Sequence, residues 1–193
     1  GEDGLLIESL RVLDLKSPLS SAAGKKAGEF AAREIAEKIE EQLVGPEILY
    51  RLVEGDEPET DPVKLEAVDP AEISTSEPIL LFIHGTASST RGSFSDLWMN
   101  SGGGNGTIWQ DLQKKYNTNI FALEHRTLTH SPIDNVVDLM GKLPAGCRLH
   151  LVSHSRGGLV GELLCRAQFN NAREPFSKED IALFDGRTLT ASS

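Results

Sequence analysis

Ser155 stands in the run Leu149–Leu164, LHLVSHSRGGLVGELL, where a short apolar stretch stops at Ser153-His154-Ser155-Arg156-Gly157 and an amphipathic pattern resumes behind it. The pentapeptide departs from G-x-S-x-G only in a serine for the first glycine, and Gly158 and Gly161 follow it. Small residues at these positions let a strand and a helix approach closely while the turn between them presents the central hydroxyl. A helix start also offers free N–H groups and the positive end of its dipole to developing negative charge. That is the chemistry of acyl transfer, with Ser155 as nucleophile and the Arg156 N–H as one donor to an oxyanion. The second donor is expected from the Thr86 N–H, since His84-Gly85-Thr86 ends the apolar run Ile79–Ile83.

The proton acceptor is harder to place. No histidine follows His154, so the usual chain order of serine, acid and histidine cannot be assembled. Glu162, Glu174, Glu179, Asp180 and Asp185 are available acids, but an acid without an imidazole cannot pass the serine proton to a leaving group. His125, just past the run that ends at Glu124, is the alternative base, with His130 behind it. Their ordinary reading is a locally hydrogen-bonded loop histidine, and that of Ser155 is a helix N-cap. His150 is expected in mid-strand and His154 beside the serine.

The elements that position these residues are read from apolar periodicity. Ile79–Ile83 is almost continuously apolar, as a parallel strand covered on both faces should be. After it come a helix over Ile108–Tyr116, a strand over Asn119–Glu124, a helix over Ile133–Leu143, a strand over Arg148–Ser153 and a helix from Arg156. Strands alternating with helices imply an α/β fold with a doubly wound, mostly parallel sheet. Upstream, Ile48–Glu54 and Val63–Asp69 read as a loose hairpin, and LLIESLRVLDL as a β-rich opening. Ala22–Leu43 reads as a helix with a stripe of Ala32, Ile35, Ile39 and Leu43, and with Glu29–Arg33 and Glu34–Lys38 pairs on its solvated face. The expected division is 1–45, a strand and helix extension, and 46–193, the N-terminal half of the main domain.

Residues 87–106, ASSTRGSFSDLWMNSGGGNG, are read as a long connection. Phe94, Leu97, Trp98 and Met99 would give it an apolar face toward an acyl chain, and the alternative is a flexible loop with a small satellite cluster. Its glycines do not form a phosphate loop, because no GK[ST] accompanies them.

The chain has 193 residues, 39% of them hydrophobic and 25% charged, and a formal net charge of -10, which argues against nucleic-acid and anionic-membrane partners. No apolar run is long enough to cross a bilayer and no secretion signal opens the chain, so a cytoplasmic location is expected. Cys147 and Cys165 are expected as reduced, mostly buried thiols. A helix lies about 10 Å from its sheet, against the roughly 6 Å of a disulfide's Cα separation. The histidines and the two cysteines are read without a metal-ligand spacing, so neither metal nor cofactor is expected.

PILLFIHGT, NIFALEHRTLTHSP and RLHLVSHSRGGLVGELLCRAQ, in this order, resemble lipase-like α/β-hydrolase domains of bacterial proteins, some of which also carry a caspase-like (CHAT) domain. The resemblance covers about Ile48 to Phe184. It implies Ser155 as nucleophile, the Thr86 and Arg156 N–H groups as oxyanion hole and His84 as a structural residue. It also implies a small-molecule or lipid ester as substrate. The expectation is thus a serine esterase or lipase-like hydrolase working through an acyl-enzyme, truncated after the elbow helix and lacking its C-terminal half, with acid and base from beyond Ser193 and the remaining domains of a longer chain as partners. The alternative is a non-catalytic interaction or scaffold domain of the same fold.

Overall fold

The computed structural model describes residues 22–46, 48–57, 61–99 and 108–167. The β-rich opening, the SGGGNG cluster and the acids from Glu174 onward lie outside the described residues. Helix α1 spans Ala22–Leu43, and strands β1 (Leu49–Glu57) and β2 (Asp61–Ala67) follow as an antiparallel hairpin. Strand β3 (Ile79–Ile83) leads into helices α2 (Thr90–Met99) and α3 (Ile108–Tyr116). Strand β4 (Ile120–Leu123), helix α4 (Pro132–Met140), strand β5 (Leu149–Ser153) and helix α5 (Gly157–Ala167) complete the order.

The sheet order is β2-β1-β4-β3-β5. Strand β3 pairs in parallel with β4 (Leu81 opposite Phe121) and with β5 (Leu81 opposite Leu151), whereas β1 runs antiparallel to both its neighbours. Only β1 therefore opposes the common direction, and the expected mixed α/β architecture with a mostly parallel sheet is present. Alternate side chains of β3 enter different cores, as strand geometry requires. Ile79, Leu81 and Ile83 meet Val136 and Leu139 of α4 and Val160 and Leu164 of α5. Leu80 and Phe82 meet Phe94 and Trp98 of α2 and Trp109 and Tyr116 of α3. With helices on both faces, every residue of β3 is at most 3% exposed, which explains its unbroken apolar sequence.

The chain leaves β3 toward one face of the sheet and β5 toward the other. In open α/β sheets such a switch point leaves a crevice at the carboxyl ends of the two strands. Gly85 and Thr86 follow β3, and Ser155 follows β5, so both sequence motifs lie at those carboxyl ends. On its far side β5 has no strand neighbour among the described residues, and Leu149, Leu151 and Val152 there are half-buried.

Several expectations are corrected. Residues 90–99, read as loop, form α2, and Phe94 and Trp98 pack edge-on against Phe82 at 5.1 and 5.9 Å between ring centroids, so they belong to the core and not to an acyl-chain surface. Cys165 is exposed because it falls on the outer face of α5, while Cys147 is half-buried; both are free. Arg33 pairs with Glu37 at 3.0 Å in place of Glu29, and the Glu34–Lys38 pair forms as expected at 3.2 Å. Along α1, Ile35, Ile39 and Leu43 are half-buried and Ala32 is exposed. Among the described side chains of the helix the fully buried one is an acid, Glu40.

Candidate active site

Ser155 forms the corner between β5 and α5. The His154 N–H donates to Ile83 O at 3.0 Å, extending the β3–β5 ladder by one residue. The chain then turns at once, with the Gly157 N–H on His154 O at 2.9 Å and the Gly158 N–H on Ser155 O at 3.0 Å. Ser155 takes φ +51° to make this turn, a left-handed conformation that costs a non-glycine residue about 1 kcal/mol or more. The residue is exposed, and its hydroxyl has no hydrogen-bond partner among the described residues. Ser155→Gly is therefore expected to raise stability by about 1 kcal/mol in chemical denaturation while removing the hydroxyl. An unchanged or lower midpoint would show that the corner is not strained.

Two glycines set how close the parts come. A Cβ on Gly157 would lie 2.3 Å from Ile83 O and 2.7 Å from His84 O, so α5 starts in direct contact with the β3 backbone. A Cβ on Gly85 would lie 3.0 Å from the Ser155 Cβ and 2.9 Å from His154 Nδ1, which places the loop after β3 against the serine. The N–H groups of Thr86 and Arg156 have no acceptor among the described residues. Ala87, next in the loop, holds φ +48° and donates its N–H to Thr127 Oγ1 at 2.9 Å. Gly85 is thus set against His154 and Ser155, with Thr86 following it in the loop and Arg156 following the serine in the turn.

The other histidines are not brought to Ser155. His84 is fully buried, and its Nε2 accepts the His125 N–H at 3.1 Å, so Nδ1 carries the proton and donates to Gly85 O at 2.9 Å. Burial pushes its pKa down against the opposing pull of the Glu124 carboxylate, whose Oε2 lies 3.7 Å from Nε2. His125 is 2% exposed, stacks on the His84 ring at 4.2 Å and directs Nδ1 to Leu123 O at 3.3 Å. Burial, then the neighbouring His84, pushes its pKa down to about 3. Named in the sequence as an alternative base, His125 is in the fold an enclosed imidazole with no hydrogen bond to Ser155 among the described residues. His130 lies 3.4 Å from Asp138, and His150, although in mid-strand, is exposed and bonded to the Tyr116 hydroxyl at 2.8 Å.

His150 and His154 are four residues apart, a spacing overlooked in the sequence, but they sit on a strand and a turn. Among the described residues no three His, Cys, Asp or Glu side chains cluster to hold a metal.

Sequence reasoning also missed the segment from Arg126 to Ser131, which follows β4 and ties the site together. Thr127 holds the loop after β3 through Ala87, and His130 O accepts from Arg156 Nη2 at 2.6 Å, holding the residue after the serine. Asn135 Nδ2 donates to Arg126 O at 3.0 Å from the first turn of α4. Glu124 accepts the Thr90 N–H at 2.7 Å, placing a buried carboxylate at the start of α2, where the helix dipole favours it. A cavity of about 330 Å³ opens beside it, between Leu43, Gly45, Tyr50, Leu65, Ser89 and Arg91.

Fold and site together define a mixed α/β domain with an exposed, conformationally strained serine at the switch point of its sheet. The chain belongs to a family described as a domain of unknown function (DUF7379), whose profile matches residues 49–187 and begins with β1, leaving α1 outside. No curated protein and no solved structure matches it. No described helix is long and apolar enough to cross a membrane.

Proposed function

We propose that this domain is an α/β-hydrolase-like serine hydrolase acting on carboxylic esters, of lipase or esterase type. The observation that carries the reading is Ser155 itself, exposed and without a hydrogen-bond partner among the described residues at φ +51°, pressed between the end of β3 and the start of α5. In the proposed reaction Ser155 Oγ attacks the ester carbonyl carbon while its proton passes to an imidazole. The oxyanion so formed accepts from the Thr86 and Arg156 N–H groups. Collapse breaks the bond to the leaving alkoxide, which takes the proton, and water then releases the acid from the acyl-enzyme. All five histidines are described and none bonds to Ser155, so in this reading another part of the assembled protein supplies the imidazole.

That same observation favours a second reading, a non-catalytic domain of hydrolase-like architecture used for interaction within a larger protein. Labelling with a fluorophosphonate, read by intact mass on this chain and on the full-length product of its gene, separates the two. The hydrolase reading expects one covalent addition on the full-length protein, absent from Ser155→Ala. Failure of both proteins to react, or labelling that survives the substitution, would leave the interaction reading.

A further inference from the structure

Helix α1 lies outside the family match, yet its one buried acid reaches the segment that ties the site together. Glu40 is 1% exposed. One carboxylate oxygen accepts the Leu128 N–H at 2.5 Å and the other accepts the Thr129 hydroxyl. Leu128 and Thr129 stand between Thr127, which holds Ala87, and His130, whose carbonyl holds Arg156. Ala87 and Arg156 adjoin or include the two N–H groups that flank Ser155. Both bonds to the carboxylate come from a segment that cannot pair with a sheet, because β4 has ended at Leu123. With Glu40 removed, the Leu128 N–H and the Thr129 hydroxyl would both lose the buried carboxylate that holds them, and no other hydrogen bond among the described residues fixes residues 128 and 129 there.

We propose that Glu40 is a positioning residue of the Ser155 site: the carboxylate of α1 sets the conformation of residues 127–130, and through them the placement of the Thr86 and Arg156 amides. The extension outside the family domain is then a working part of the site, and a displacement of α1 is transmitted to the serine through one buried side chain. This rests on the Ser155 reading only in its catalytic consequence, since the mechanical coupling from Glu40 to Ala87 stands without it.

The test is amide hydrogen exchange at Ala87 and Leu128, with fluorophosphonate labelling of the full-length protein measured in parallel. Glu40→Ala is expected to speed exchange at both amides at least tenfold, and to slow labelling by a similar factor. Glu40→Gln, which keeps an acceptor for Leu128 and a polar group for Thr129, is expected to recover most of both. Glu37→Ala, on the exposed Arg33 pair, is the control and should change neither. If Glu40→Ala does not fold, Thr129→Val, which removes one of the two bonds, must still speed exchange at Ala87. Unchanged Ala87 exchange in folded Glu40→Ala or Thr129→Val overturns the proposal. Faster Ala87 exchange on a protein that never labels would sustain the coupling and overturn the serine hydrolase reading.

Discussion

Replacing Gly157 by alanine is expected to cost at least about 3 kcal/mol of folding stability. The added Cβ meets Ile83 O at 2.3 Å, His84 O at 2.7 Å and the Ile83 carbonyl carbon at 2.9 Å. All three are backbone atoms of the central strand and its exit, so no side chain can rotate to make room. Relief requires α5 to withdraw from β3, which separates Val160 and Leu164 from Ile83 in the core. Gly158 is the internal comparison. Its Cβ would find nothing nearer than Ser153 Oγ at 3.8 Å, so Gly158→Ala is expected to be neutral or to stabilise by up to about 1 kcal/mol through helix propensity. Urea denaturation of the two variants reads the difference directly. Equal midpoints would mean that the close contact of helix and strand is not a constraint on the fold.

Acid is expected to destabilise the protein steeply through His125. The unfolded histidine titrates near its ordinary 6.5, while in the folded chain burial and the adjacent His84 hold it at about 3. Above pH 6.5 neither state binds the proton and this group contributes no pH dependence. Between 6.5 and 3 the unfolded state binds it and the folded state does not, so stability falls with pH by up to about 1.4 kcal/mol per unit. The loss amounts to about 3 kcal/mol at pH 4 and levels off below pH 3. His84 acts in the same direction, because its pKa is also lowered and because protonating Nε2 would take the acceptor from the His125 N–H. Denaturation midpoints at pH 7.5, 5.5 and 4.5 should show the slope, and His125→Phe should flatten it by about one proton. An identical slope in His125→Phe would mean that His125 is open to solvent in the folded state.

How much of this was legible in the sequence depended on whether the cause was local. Strand β3 and the α4–β5–α5 order were readable because an apolar run covered on both faces, a helical stripe and a strand stopped by small residues each leave a pattern within a dozen residues. The contact of Gly85 with Ser155 depends on β3 and β5 lying side by side, which is a fact of sheet order that the separate patterns of the two strands do not carry. Helix α2 was obscured by its serines and glycine, although Phe94, Leu97 and Trp98 already carried the helical spacing. The enclosure of His125 was not legible, because sequence does not show that the imidazole of His84 lies against it. The tie from Thr127 to Ala87 spans forty residues and that from Glu40 to Leu128 spans eighty-eight, and neither has a periodic signature. One trace was nevertheless present: Glu40 falls on the same face of α1 as Ala36 and Leu43, an acid where the stripe called for an apolar residue.

Among the described residues the far side of β5 carries no strand. Strands in a sheet stand about 4.8 Å apart, and Ser155 comes two residues after the last residue of β5, with Gly85 against it on the β3 side. Any backbone that docks along the other side of β5 arrives one strand spacing from the hydroxyl, opposite Gly85. A segment seated there and a molecule reaching the serine would therefore compete for the same space.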